Sequence, residues 1–338
     1  MNDGPERGAP DGAGAAEALP AADPYPGAMR APFATFDDFL LDDEAEALRA
    51  PIDLHFSEPH QHRFDTHFIW NYWYVPGLYT YLRALPEKVI PYDLVAGFHD
   101  VLTRWASDTL GLAHVTWPIL SLYVDGCGQG IHNDSANGRF GYVYSLTQER
   151  QGRGGETIIF KEDDPFRSRL RTADAGTGLY DLVPPAFNRL VLFDDRMPHG
   201  VQRVEGTMDP TDARIVLHGH ISEAGPIMKG PLPARVVEAA RAAALDAALA
   251  ACPETGPLHH GPLCVRLEIA PHGRVSDCRV LVHRVVRSDG GCADALVEEI
   301  LGGLASARFP AASAATSAIL PILTGGLLPQ ATGAGPID

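Results

Sequence analysis

The sequence predicts a mostly β protein: an antiparallel jelly roll with flanking helices, followed by a small α+β unit. Three observations predict it. Between residues 117 and 222, short runs rich in β-branched and aromatic residues alternate with turn residues. Two segments flank that stretch with helical character: VAGFHDVLTRWASDTLGL by its apolar spacing, and ARVVEAARAAALDAALAAC by its Ala and Leu content. Beyond residue 256, CVRLEIA and RVSDCRVLVH alternate as two strands joined by PHG.

Taken in order, residues 1–33 are rich in Ala, Gly and Pro and are expected to form a disordered tail. They lack the basic start and apolar stretch of a signal peptide. Residues 34–225 are expected to hold the jelly roll and its supporting helices. Its strands are read in WPILSLYVDG, RFGYVYSLT, the IIF that follows GGET, NRLVLFDD, HGVQRV and RIVLHGHI. The aromatic segment Phe64–Tyr81 is read as a strand packed on the barrel with alternating core aromatics. One or two of its rings are expected to line a site, with Trp70 and Trp73 as candidates; a mobile aromatic lid is the alternative. Residues 226–255 form a linker, marked by Pro231 and Pro233, and a helix. Residues 256–330 form the small unit, in which ADALVEEILGGLASA is a helix and SAILPIL a last strand; with the preceding helix the order is α-β-β-α-β.

Within the jelly roll, His132 and Asp134 stand one residue apart in GQGIHNDSANG, and His199 follows in FDDRMPHGV, 65 residues after Asp134. Two imidazoles and one carboxylate can hold one face of a non-haem Fe(II) ion and leave the other face open. An HxD triplet alone is weak evidence in a chain with 14 histidines. Its place between predicted strands strengthens it, because strand ends of one barrel can converge on one ion. Arg214 follows in ARIVLHGHI, where a guanidinium can clamp a carboxylate. In a regular strand Arg214, Val216, His218 and His220 share a face. His218 and His220 are then either groups that orient ligand or co-substrate, or hydrogen-bonded core histidines. Arg139, five residues past Asp134, lies near the expected mouth and is a candidate substrate contact.

LYVDG, IHND, GYVYSLT, GGET, VLFDD, PHGV and ARIVL together resemble the Fe(II)- and 2-oxoglutarate-dependent dioxygenases, above all the prolyl-hydroxylase-like branch, over residues 117–222. The resemblance implies a double-stranded β-helix with His132, Asp134 and His199 as iron ligands. It implies that Arg214 binds the distal carboxylate of 2-oxoglutarate, with Tyr123 as a second donor and His218 beside it. It implies hydroxylation of an unactivated C–H bond with release of succinate and carbon dioxide, stimulated by ascorbate. Related halogenases lack the metal-binding carboxylate, so Asp134 favours hydroxylation. Two positions depart from the family pattern: Val216 stands where a small hydroxyl residue is common, and Ser145 where a tyrosine is.

The substrate implied is a peptide or protein side chain, with a free amino acid or small metabolite as the alternative. A non-catalytic module sensing 2-oxoglutarate or metal is a competing function. A cupin-type metal enzyme without 2-oxoglutarate, in which Arg214 is dispensable, is another. The C-terminal unit resembles the C-terminal domain of TonB-type proteins in its PHGRV hairpin, its helix ending in ARFP and its last short strand. That likeness implies an interaction module pairing edge strands with a protein partner.

The net charge of −16 argues against nonspecific nucleic-acid binding. No run of 18 or more apolar residues suggests a membrane helix. Of five cysteines, Cys252 ends one predicted helix and Cys292 begins another, so a disulfide between them is conceivable. An Fe(II) cofactor and the lack of a signal favour a cytoplasmic setting with free thiols.

Overall fold

A computed structural model describes residues 23–58, 60, 68–149, 152–161, 179–206, 208–252, 258–289 and 293–325. Antiparallel strands dominate, in two sheets among the described residues. The larger sheet has twelve strands. One part of it is β1 (Phe33–Phe36), β10 (Arg189–Asp194), β7 (Phe140–Ser145), β12 (Arg214–Ser222) and β5 (Ile119–Tyr123), in that spatial order. The other part is β6 (Gly128–His132), β11 (His199–Val201), β8 (Thr157–Phe160) and β9 (Tyr180–Val183). Between them β3 (Tyr79–Ala84) pairs with both β5 and β6. Two short strands attach at the side: β2 (Asn71–Val75) to β3 and β4 (His114–Val115) to β12. The sheet curls, because Arg214 of β12 hydrogen-bonds Thr157 of β8 at 3.2 Å although β5, β3, β6 and β11 lie between those strands in the sheet. This is the half-barrel of a double-stranded β-helix.

Period-2 patterning explains how the sheet buries itself. In β10, Leu190 and Leu192 join the core under the helices, while Val191 and Phe193 face the other way into a smaller cluster with Ile159 and Met197. Helix α1 (Asp42–Phe56) opens with Asp42, Asp43 and Glu44, which suit the positive end of a helix dipole. Its buried Arg49 donates to the backbone oxygens of Leu146 and Thr211, tying the helix to the sheet. Helix α2 (Tyr92–Thr109) buries Val95, Phe98, Leu102 and Ala106, a helical stripe that lays Phe98 against Tyr144.

The second sheet runs β13 (Ile227–Lys229), β17 (Thr316–Thr324), β14 (His259–Ile269), β15 (Val275–His283), with β16 (Val286–Arg287) on β14. Helices α3 (Ala234–Ala250) and α4 (Asp294–Ser306) cover one face, where Leu263, Val265 and Leu267 meet Val237, Ile300 and Leu304. The opposite face is not free. Cys264, Val282 and Ile319 belong to the same hydrophobic cluster as the barrel helices. Gly111, at φ +73°, allows this approach, since a Cβ there would stand 2.6 Å from Ile319.

Two expectations need correction. Of the tail expected over 1–33, residues 23–33 are packed: Tyr25 is buried with α3 and α4, Met29 bridges to Val282, and Phe33 starts β1. Apolar side chains in a Pro-rich stretch found a surface on the second sheet. The aromatic segment is a hairpin rather than one strand, and β2 does not alternate with a core: Tyr72 and Tyr74 are 61 % and 58 % exposed. The reason is position, for among the described residues β2 pairs only with β3. Residues 64–67 of that segment lie outside the described residues, as does Cys292, so its pairing with Cys252 does too.

Candidate metal centre

β6 and β11 are antiparallel neighbours, and His132 and His199 are register partners. Partners in register project to the same face, so the two imidazoles meet with ring centroids 4.4 Å apart. Asp134 lies just past the end of β6, in a turn closed by Asn137 N–H to the Asp134 carbonyl at 2.7 Å. Its Oδ2 stands 3.3 Å from His199 Nε2 and 3.8 Å from His132 Nε2. Donor atoms bound about 2.1 Å from one ion sit about 3 Å apart when adjacent, so these spacings suit shared coordination.

The tautomers suit it as well. His132 Nδ1 is 2.8 Å from the Gly130 carbonyl and His199 Nδ1 is 2.9 Å from the Met197 carbonyl. A carbonyl oxygen only accepts, so each Nδ1 carries the proton and each Nε2 turns a lone pair towards Asp134. Burial and the neighbouring His199 lower the pKa of His132, which keeps it neutral. Burial works to raise Asp134, but its contacts with the His199 and His132 rings outweigh it and hold the carboxyl below its usual value. Two imidazoles and one carboxylate, with orientations fixed by the backbone, form a donor set that fits a divalent iron ion.

Arg214 is the first residue of β12, opposite Tyr123 of β5. It is 2 % exposed, and its guanidinium lies 4.7 Å from the Tyr123 ring centroid. Burial raises the Tyr123 phenol, so it remains a hydroxyl donor. Further along the same face, His218 Nε2 meets the Ser121 hydroxyl at 2.8 Å. Burial and the Arg214 charge push that imidazole down to about 3, so it is neutral. His220 Nδ1 reaches the Asp195 carboxylate at 3.1 Å.

The aromatic wall comes from β3. Tyr79 sets its edge against His132 with ring centroids 5.3 Å apart, and Tyr81 stacks on Tyr123 at 4.9 Å. Trp70 and Trp73 are engaged elsewhere: Trp70 stacks on Phe56 and donates to His55 of α1, and Trp73 lies under Arg83. Arg139 is held by a two-pronged pair with Glu223, at 2.9 and 2.8 Å. Arg196, closer in sequence to His199 than Arg214 is, is bonded to Asp194 and to His260.

Asp195 was not singled out from sequence. It is 0 % exposed, and its backbone carbonyl accepts the Asp134 N–H at 2.9 Å. Asp134, Asp195 and His220 form a second cluster of ligand-type atoms beside the first. Gly138 and Gly141 leave room for that carboxylate, since a Cβ on either would approach its oxygens to 2.7 and 2.9 Å. The sequence signal was the doubled acid in FDDR, which does not say which carboxylate faces inward.

No family model and no curated protein matches the chain. Among solved structures it is similar to a prolyl hydroxylase from Trichoplax adhaerens in complex with a hypoxia inducible factor peptide fragment, at 15 % identity over 55 % of this chain and 81 % of that one, with a TM-score of 0.40. It is similar to a Pseudomonas putida prolyl-4-hydroxylase at 17 % identity over 58 % of this chain and 94 % of that one, with a TM-score of 0.38. A non-heme alpha ketoglutarate dependent epimerase from nogalamycin biosynthesis matches at 12 % identity over 58 % of this chain and 78 % of that one, with a TM-score of 0.41. These structures give no support to the TonB-type likeness of the C-terminal unit. The chemical reading of the site rests on its own side chains.

Proposed function

We propose that this chain is an Fe(II)- and 2-oxoglutarate-dependent dioxygenase that hydroxylates an unactivated C–H bond of a peptide or protein side chain. The observation that carries the reading is the convergence of His132 Nε2, His199 Nε2 and Asp134 Oδ2 in the curl of a sheet that also buries Arg214. Iron and 2-oxoglutarate would supply the oxygen-dependent chemistry, ending in succinate and carbon dioxide.

The chain's own residues bind and orient. His132, Asp134 and His199 hold the metal from one side. Arg214 offers a fork of N–H donors to the distal carboxylate of the co-substrate, and the Tyr123 hydroxyl is a second donor. His218, neutral and bonded to Ser121, adds a polar but uncharged wall beside that carboxylate. Tyr79 and Tyr81 shield the metal side from water. A peptide substrate is supported by the exposed stacked pair Tyr72 and Tyr74, with ring centroids 6.0 Å apart on the strand next to β3. Such rings can receive an extended chain near the site.

Purified protein supplied with Fe(II), 2-oxoglutarate, ascorbate and oxygen should form succinate slowly even without substrate. Asp134→Ala should abolish it, and Arg214→Ala should raise the 2-oxoglutarate concentration needed by tenfold or more, the scale of a lost charged hydrogen bond. Succinate formation that survives Asp134→Ala would refute the metal assignment. Unchanged 2-oxoglutarate dependence in Arg214→Ala would leave the metal centre standing and remove the clamp.

A further inference from the structure

The segment from Asp194 to Pro198 connects β10 to β11 and carries the acceptors that orient the metal ligands. The Met197 carbonyl receives His199 Nδ1–H at 2.9 Å, and the Asp195 carbonyl receives the Asp134 N–H at 2.9 Å. Backbone bonds hold this turn from the barrel side, Asp194 N–H to Pro32 and Asp195 N–H to Arg139, and the C-terminal unit braces it from the other. Arg284, just past β15, donates through Nε to Asp194 Oδ2 at 3.0 Å. It also places Nη2 3.7 Å from Met197 Sδ and donates through Nη1 to the Arg30 carbonyl at 2.9 Å. Arg196 reaches the opposite way. From the turn it donates to the His260 carbonyl at 3.0 Å and to the Arg284 carbonyl at 2.7 Å, while its Nε binds Asp194 at 2.9 Å.

The two arginines thus cross between the units around one carboxylate that is 0 % exposed. The crossing is sterically specified. Gly261 of β14 sits at φ +127°, and a Cβ there would stand 2.1 Å from the Arg284 carbonyl and 2.7 Å from Arg196 Nη1. Only glycine leaves that space and accepts that backbone conformation.

We infer that the C-terminal unit is a positioning element of the metal centre: Arg284, with Arg196 and Asp194, fixes the 194–198 turn and through it the orientation of His199 and Asp134. The inference rests on the metal reading of the triad. Groups that orient ligands from the outer side typically change metal affinity by about 10–100-fold.

The test is a Co(II) titration of the full-length protein, followed by ligand-field absorption, with thermal unfolding and far-UV circular dichroism run alongside. Arg284→Met removes the fork, Gly261→Ala crowds the crossing while keeping every charge, and His199→Ala is the control. Arg284→Met and Gly261→Ala should bind Co(II) about tenfold or more weakly. At saturation their absorption band should be shifted, a signature that lost stability alone does not produce. If Arg284→Met does not fold, Arg284→Lys, which keeps the charge and loses the fork, takes its place with the same expectation. Wild-type affinity and band in these variants, with binding lost in His199→Ala, would overturn the positioning role and leave the metal site intact. A wild-type band in His199→Ala would overturn the metal reading, and the inference with it.

Discussion

The junction around Asp194 and the barrel interior around Asp195 are one residue apart, and both carboxylates are 0 % exposed, yet they titrate in opposite directions. Burial works to raise Asp194, but hydrogen bonds and charge from Arg196 and Arg284 outweigh it and hold the group below the usual carboxylate range. Burial pushes Asp195 up to about 6; His220 pulls it down only in part, and the charge of Asp134 adds to the push. A strand end sends neighbouring side chains to opposite faces, one towards a second unit and the other towards His220 and the candidate ligand Asp134. Burial alone therefore does not decide the state of a carboxylate; the permanence of its partner's charge does.

The largest test of this contrast is Asp194→Asn. It leaves two partly buried guanidinium groups without their fully buried charged acceptor and should destabilise the protein by about 3 kcal/mol in urea denaturation. A loss under about 1 kcal/mol would mean that the arginines find other acceptors and that the contrast is one of geometry only.

Next comes pH. Asp194 contributes stability that is present above the unfolded value of 3.8 and is lost as pH falls through its lower folded value. Asp195 behaves oppositely. Its folded carboxyl at about 6 takes up a proton that the unfolded chain, at 3.8, does not yet bind, so its contribution favours folding as pH falls from 6 towards 4. Metal-free wild type should therefore gain about 2 kcal/mol over Asp195→Asn between pH 7 and pH 4, at about 1.4 kcal/mol for each tenfold in proton affinity. Parallel stability curves for the two proteins would break the contrast.

A smaller effect is expected from Gly141→Ala, whose Cβ would meet the Phe193 ring at 2.5 Å and Asp195 Oδ1 at 2.9 Å. Overpacking of this kind costs about 1–3 kcal/mol, measurable as a lowered Tm. The smallest belongs to a third carboxylate, Glu223, paired with the partly exposed Arg139. Glu223→Gln should change stability by about 1 kcal/mol or less, because solvent screens the pair. A larger loss would put Glu223 in the same class as Asp194.

Much of this was readable from the chain. Short strand runs and turn residues announced the curled sheet, and the HxD triplet with a distant His named three side chains that the fold brings together. Strand periodicity put Arg214, His218 and His220 on one face, and their contacts with Thr157, Ser121 and Asp195 agree with that. What stayed hidden was long-range or positional. Arg284 lies 90 residues from Asp194, and nothing local in either segment marks their pairing. The exposure of Tyr72 and Tyr74 depends on β2 lying at the side of the sheet, and an aromatic run reads as core until its neighbours are known. Tyr25 looked like part of a tail because its composition is that of one, although it contributes a ring to the core of the C-terminal unit.

The crossing at Gly261 also has a consequence for the newborn chain. A ribosome finishes β12 before it has made any of the strand that precedes Arg284. At about 5–20 residues per second, several seconds pass before that arginine emerges. During this interval Asp194 has Arg196 for company but not Arg284, and Tyr25, made long before α4, has no core to enter until that helix is complete. A message truncated between Ser222 and Arg284 therefore yields His132, Asp134 and His199 beside a turn that lacks its brace from the second sheet.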